Sequence, residues 1–138
     1  MLKVYKKKII LCIGCIFSLF LGAVIYALLR EEAYISQIVA VYVDLSRVKN
    51  AFILLDNDFV KYYLPDYLWA FSLCCGILII SNPTSKKEVL CYSSITFWVG
   101  TLYEILQKVK LIGGTGDVID IILYFLAALT VSIIYIKE

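Results

Sequence analysis

The stretch Ile9-Ile-Leu-Cys12-Ile-Gly14-Cys15-Ile-Phe-Ser18-Leu-Phe-Leu-Gly22-Ala-Val-Ile-Tyr26-Ala-Leu-Leu29 carries no charged side chain. A bilayer core is crossed by about 20 apolar residues in helical form, because each residue rises about 1.5 Å. Residues 9–29 meet that length. Lys3, Lys6, Lys7 and Lys8 stand immediately before them. A basic start followed by an apolar run also describes a secretory signal, but its apolar region is shorter, about 7–15 residues, and ends in a small-residue cleavage site. No such site follows Leu29, so the run is read as a retained membrane anchor.

The rest of the chain repeats the pattern. Of 138 residues, 62% are apolar and 17% charged, against about half and about a quarter in a soluble domain. The excess is gathered into blocks at about 66–81, 89–107 and 118–136. Pro65 and Asp66 open the second, since Pro suits a first helical turn and Asp a helix N-terminus. That block is short, and its boundary could extend back towards Tyr63. Pro83 breaks the turn that follows, and Gly113-Gly114-Thr115-Gly116 makes the last loop flexible. The expected architecture is all-α: one integral membrane domain over 1–138, a four-helix bundle with a long extracytoplasmic segment between helices 1 and 2. Within that segment, residues 34–43 and 51–55 are too short to span and suit interfacial helices. A strand at 38–43 is the alternative, given its β-branched content.

Several function classes drop out. His is absent, which removes His-based metal sites and triads, and a net charge of +2 gives no nucleic-acid footprint. No cofactor motif is present: the glycine loop lacks the Lys-Ser/Thr of a phosphate-binding loop. The five Cys lie in apolar blocks and act as small apolar residues. Cys12-Ile-Gly-Cys15 has redox spacing without the βαβ context that would support it. Gly14, Ser18 and Gly22 recur every fourth residue, a spacing that admits another helix at close range.

Four spans place both termini on one side. Seven Lys/Arg, including four before the first span, fall in short segments on that side; the other six are spread over a longer connection and one loop. The positive-inside rule puts the termini in the cytoplasm. Asp66, Glu104, Gln107, Asp117 and Asp120 then share one layer near the outer interface. Carboxylates within spans face a bundle interior, a partner or water. Asp66 and Asp117 also read as helix caps, and Glu104 as an ion-pair partner of Lys108, four residues on. Two facing carboxylates call for a shared proton or a cation, with Lys108, Lys110 or Arg47 as protein sources. The expected ligand-binding site is Glu104 and Asp120, with Gln107, Asp117 and Asp66 at its mouth.

Glu104-Ile-Leu-Gln107, a glycine loop and Asp117-Val-Ile-Asp120 opening a helix together resemble the VanZ-like family, as does Leu64-Pro-Asp66-Tyr-Leu-Trp69. The resemblance covers about half the chain. It departs where members carry Asp-Lys-x-x-His against Asp66-Tyr-Leu-Trp69 here, an Arg in the loop, and an Asn near Tyr124. It implies a bacterial cell-envelope setting associated with glycopeptide resistance of the teicoplanin type. The implied partners are membrane lipids, a cell-wall precursor or an amphiphilic antibiotic. Two other classes stay open: an enzyme on a lipid-linked substrate, with no nucleophile motif and no assigned catalytic residue, and a structural or immunity-type partner of another membrane protein.

Overall fold

The computed structural model describes residues 2–29, 38 and 57–137. Among them four long helices follow one another: α1 (Leu2–Leu29), α2 (Leu64–Ser81), α3 (Lys86–Lys108) and α4 (Val118–Lys137). The interfacial helices and the strand expected within 34–55 fall, apart from position 38, outside the described residues, as does Arg47. The stretches Tyr5–Leu29, Phe59–Ser81, Lys86–Lys108 and Val118–Lys137 are each long and apolar enough to cross a membrane. The expected all-α bundle is observed, and the chain is a multi-pass membrane protein.

The distribution of side chains fits that medium. Ile9, Ile13, Ile16, Phe17 and Phe20 on α1, and Trp98, Leu102 and Ile105 on α3, are all at least half exposed. A monomer in water does not carry continuous apolar faces of this kind, whereas lipid tails cover them. Polar groups turn inward instead: Ser18, Ser72, Ser93, Thr96, Glu104 and Ser132 are buried. The hydroxyls of Ser18, Ser93 and Ser132 are satisfied within their own helices, as in Ser18 to the Gly14 carbonyl at 2.6 Å and Ser93 to the Val89 carbonyl at 2.8 Å. Leu11, Cys74, Cys75, Leu78, Val89, Ala128 and Val131 form the core, drawn from all four helices.

α2 is central and packs on the other three helices. Its contact with α1 runs along the small-residue face anticipated at Gly14, Ser18 and Gly22. A Cβ at Gly22 would stand 2.8 Å from the Trp69 ring, and one at Gly14 3.4 Å from Phe71. Between them Ser72 donates to the Cys15 carbonyl at 3.0 Å. All five cysteines are free thiols.

Element boundaries differ from expectation where backbone chemistry was underread. The second span starts at Phe59, seven residues ahead of Asp66, in a π-helical turn Phe59–Tyr63 that runs directly into α2. Leu64 N–H reaches the Phe59 carbonyl in this wider register, and the widened turn leads into Pro65, which has no N–H to give an α ladder. Asn57 starts the turn by accepting from Phe59 N–H at 2.9 Å. Asp66 therefore sits about two turns inside a continuous rod and does not cap a helix start. At α3, Ser85 and Glu88 form a capping box, with Glu88 N–H to Ser85 Oγ at 3.2 Å and Thr84 N–H to Glu88 at 2.8 Å. α2 ends on Asn82 in the left-handed region, with Pro83 after it.

The acidic end of the bundle as candidate functional site

The 109–117 connection begins with a tight helix end. Leu111 N–H bonds the Leu106 carbonyl and Lys110 N–H the Gln107 carbonyl, with Lys110 in the left-handed region. That is the double closure usually built on glycine. The glycines serve a different purpose. A Cβ on Gly116 would collide with the Glu104 carbonyl oxygen and with Lys108, and one on Gly114 would lie 2.5 Å from Gln107 Cδ. The expectation that these glycines confer flexibility is thus replaced: Gly114 and Gly116 let the loop fold down onto the last turn of α3.

That close approach carries Asp117 to Glu104. The Glu104 side chain is 4% exposed. Its Oε2 accepts Asp117 N–H at 2.9 Å, and its Oε1 accepts the Tyr124 hydroxyl at 2.9 Å. Both carboxyl oxygens are thus satisfied within the bundle, where water is scarce. The carboxyl group also lies at the N-terminal, positive end of α4. The Lys108 ion pair considered for Glu104 is not the arrangement found: both carboxylate oxygens turn to α4, and Lys108 is exposed. Tyr124 reaches Glu104 because α3 has no side chain at Gly100, where any Cβ would strike the Tyr124 ring.

Asp117 caps α4 as anticipated, its Oδ1 accepting Ile119 N–H at 2.9 Å. Its Oδ2 accepts the Tyr63 hydroxyl at 3.3 Å, which ties the turn before α2 to the start of α4. Asp66, Glu104 and Asp120 all lie within electrostatic reach of Tyr124, and Asp117, Asp120 and Asp58 within reach of Tyr63. Glu104 and Asp117 each take a tyrosine hydroxyl, and Asp66 and Asp120 stand near the starts of α2 and α4 at the same end of the bundle. Gln107 stands apart: its side chain lies over Gly114. Among the described residues, no group of three or more His, Cys, Asp or Glu side chains has the arrangement to hold a metal ion.

Tyr63, Gly100, Gly116 and Tyr124 were not foreseen as site residues. A signal existed for the tyrosines. Tyr124 is four residues after Asp120 and Tyr63 three before Asp66, so each shares a helix face with an aspartate. No signal marked Gly100, since its partner lies on another helix.

Comparison of the chain with protein-family models, curated proteins and solved structures gives no match.

Proposed function

We propose that this is a cell-envelope membrane protein that receives the cationic or hydroxyl-rich end of an amphiphile at its acidic end. The candidates are a lipid headgroup, a cell-wall precursor or a lipoglycopeptide. The placement of Asp117 against the Tyr63 hydroxyl at 3.3 Å, with Asp120 one turn further along α4 and Asp66 near the start of α2, carries this reading. Glu104 serves it indirectly, as the clamp that fixes Asp117 and Tyr124. The resemblance of Glu104–Gln107 and Asp117–Asp120 to the VanZ-like family supports the envelope setting and makes teicoplanin the first probe. The lysine asymmetry supports cytoplasmic termini, with the acidic end outside. The partner-protein alternative loses its expected surface, because the small-residue face of α1 is covered by α2.

The test is teicoplanin susceptibility of a bacterial host expressing the chain. Expression should raise the inhibitory concentration, and Asp66→Asn with Asp120→Asn should remove the increase at unchanged membrane level. Unaltered susceptibility, with or without the substitutions, counts against the proposal. Cysteine labelling in a Cys-free background checks the orientation. Position 49 should react from outside and position 86 from inside; the reverse pattern would sink it.

A further inference from the structure

The opposite end of the bundle, where both termini lie, carries a second site. We infer that it holds an anionic phospholipid, with the phosphate in a basic cavity and an acyl chain in the groove between α3 and α4.

The cavity has a volume of about 550 Å³ and lies between the start of α1, the α2–α3 turn and the end of α4. This is within the roughly 300–1,000 Å³ typical of small-ligand sites. Lys7, Lys86 and Lys137 line it. Lys7 is fixed in place: its ammonium donates to the Tyr135 carbonyl at 3.1 Å and lies 4.9 Å from the Tyr135 ring centroid. That bond uses one of its three N–H donors. The Tyr135 hydroxyl donates to the Pro83 carbonyl at 3.0 Å, so the wall is tied across α1, α4 and the turn. Ser85 accepts from Glu88 N–H at 3.2 Å and its own hydroxyl serves the Glu88 carboxylate, so the lysines and the helix N-terminus are left to meet an anion. The cavity also borders the N-terminus of a 23-residue helix, whose partial positive charge adds to that of the lysines. The nearby Glu88 carboxylate is turned back onto Thr84, accepting from its N–H and hydroxyl.

A groove of about 350 Å³ continues on the same faces. On α3, Lys86, Leu90, Ser93 and Phe97 follow one another at helical spacing; on α4, Ile136, Ser132, Leu129 and Phe125 do the same. The first of each row lines the cavity and the others line the groove. From Leu90 to Trp98 the groove runs about 12 Å along α3. Its serines offer a solute little, because Ser93, Ser94 and Ser132 all donate to carbonyls of their own helices at 2.7–2.8 Å. An apolar channel leading from a cluster of lysines suits a phosphodiester with a hydrocarbon tail better than a free phosphate. The same lysines repel the choline group of a zwitterionic lipid. Basic pockets between membrane helices bind anionic headgroups by this physics.

Native mass spectrometry of the full chain, titrated in mild detergent with phosphatidylglycerol or phosphatidylcholine of equal chain length, tests the inference. Phosphatidylglycerol should be retained preferentially. Lys86→Gln with Lys137→Gln alters two exposed side chains and leaves Lys7 in place. It should weaken retention about 25-fold at low salt, about five-fold per lysine. Leu90→Trp, which fills the groove, should weaken retention of phosphatidylglycerol as well. Lys108→Gln with Lys110→Gln, at the other end, should change nothing. Equal retention of the two lipids would overturn the inference, as would an equal loss in the Lys108/Lys110 variant. Displacement of the lipid by an equal concentration of inorganic phosphate would overturn its assignment as a lipid site.

Discussion

The α1–α2 and α3–α4 interfaces solve one problem with different chemistry. α1 and α2 meet through absent side chains. Gly14 and Gly22 make room for Phe71 and Trp69, and Ser72 bonds a carbonyl across the gap. α3 and α4 meet through a buried carboxylate, with Glu104 taking one donor from the α4 backbone and one from Tyr124. In lipid the first kind of contact rests on dispersion and close approach. The second rests on pairing the Glu104 carboxyl, the Asp117 N–H and the Tyr124 hydroxyl with one another where water is scarce. Breaking the second should therefore cost more.

The largest effect is expected at Glu104. Glu104→Leu leaves Asp117 N–H and the Tyr124 hydroxyl without acceptors, at about 1–3 kcal/mol each. Thermal unfolding in mild detergent should show a loss of about 2–6 kcal/mol. Wild-type stability in this variant would mean that the clamp contributes nothing. Glu104→Gln retains one acceptor oxygen and should fall between the two.

Next come the glycines, which compare the interfaces directly. Gly100→Val displaces the Tyr124 ring and disturbs its bond to Glu104. Overpacking costs about 1–3 kcal/mol, and the weakened hydrogen bond adds about 1 kcal/mol. Gly22→Leu meets the Trp69 ring and, at 3.4 Å, Leu68 Cβ, and should stay at about 1–3 kcal/mol; Gly14→Leu, with more room against Phe71, should cost least. The same unfolding measurement ranks them. Gly22→Leu costing more than Gly100→Val would reverse the comparison.

The two interfaces also differ in how far the sequence reveals them. The four spans were legible because apolar length is a property of consecutive residues. The α1 face was legible because Gly14, Ser18 and Gly22 repeat at one helical period. Glu104 was legible only as an anomaly, a carboxylate at the wrong end of a helix dipole. Its partners were not, since a backbone N–H has no sequence signature and Tyr124 stands out only as a departure from a family pattern. The early start of the second span was missed for a related reason. Pro65 reads in the sequence as a helix opening, whereas the π-helical turn Phe59–Tyr63 carries the helix through it. The Ser85-Lys-Lys-Glu88 box is readable in the sequence from its Ser-x-x-Glu spacing.

The smallest stability effect separates the structural and functional sides of the acidic end. Asp117 caps α4 through Oδ1 and accepts from Tyr63 through Oδ2. Asn is as good a helix cap as Asp, whereas Ala at such a position costs about 1 kcal/mol. Asp117→Asn keeps the capping oxygen and gives up the charge, together with the second oxygen that meets Tyr63. The partner bond is long at 3.3 Å, and its loss should cost about 0.5 kcal/mol, the low end for a hydrogen bond. Asp117→Ala should cost about 1.5 kcal/mol, because both roles go. If the acidic end receives a cationic amphiphile, Asp117→Asn should lower the teicoplanin tolerance conferred by the chain while barely changing its unfolding temperature. Glu104→Gln should move the two readouts together, since Glu104 acts through the fold. Full tolerance in Asp117→Asn at wild-type stability would reduce Asp117 to a cap and leave the ligand charge to Asp66 and Asp120.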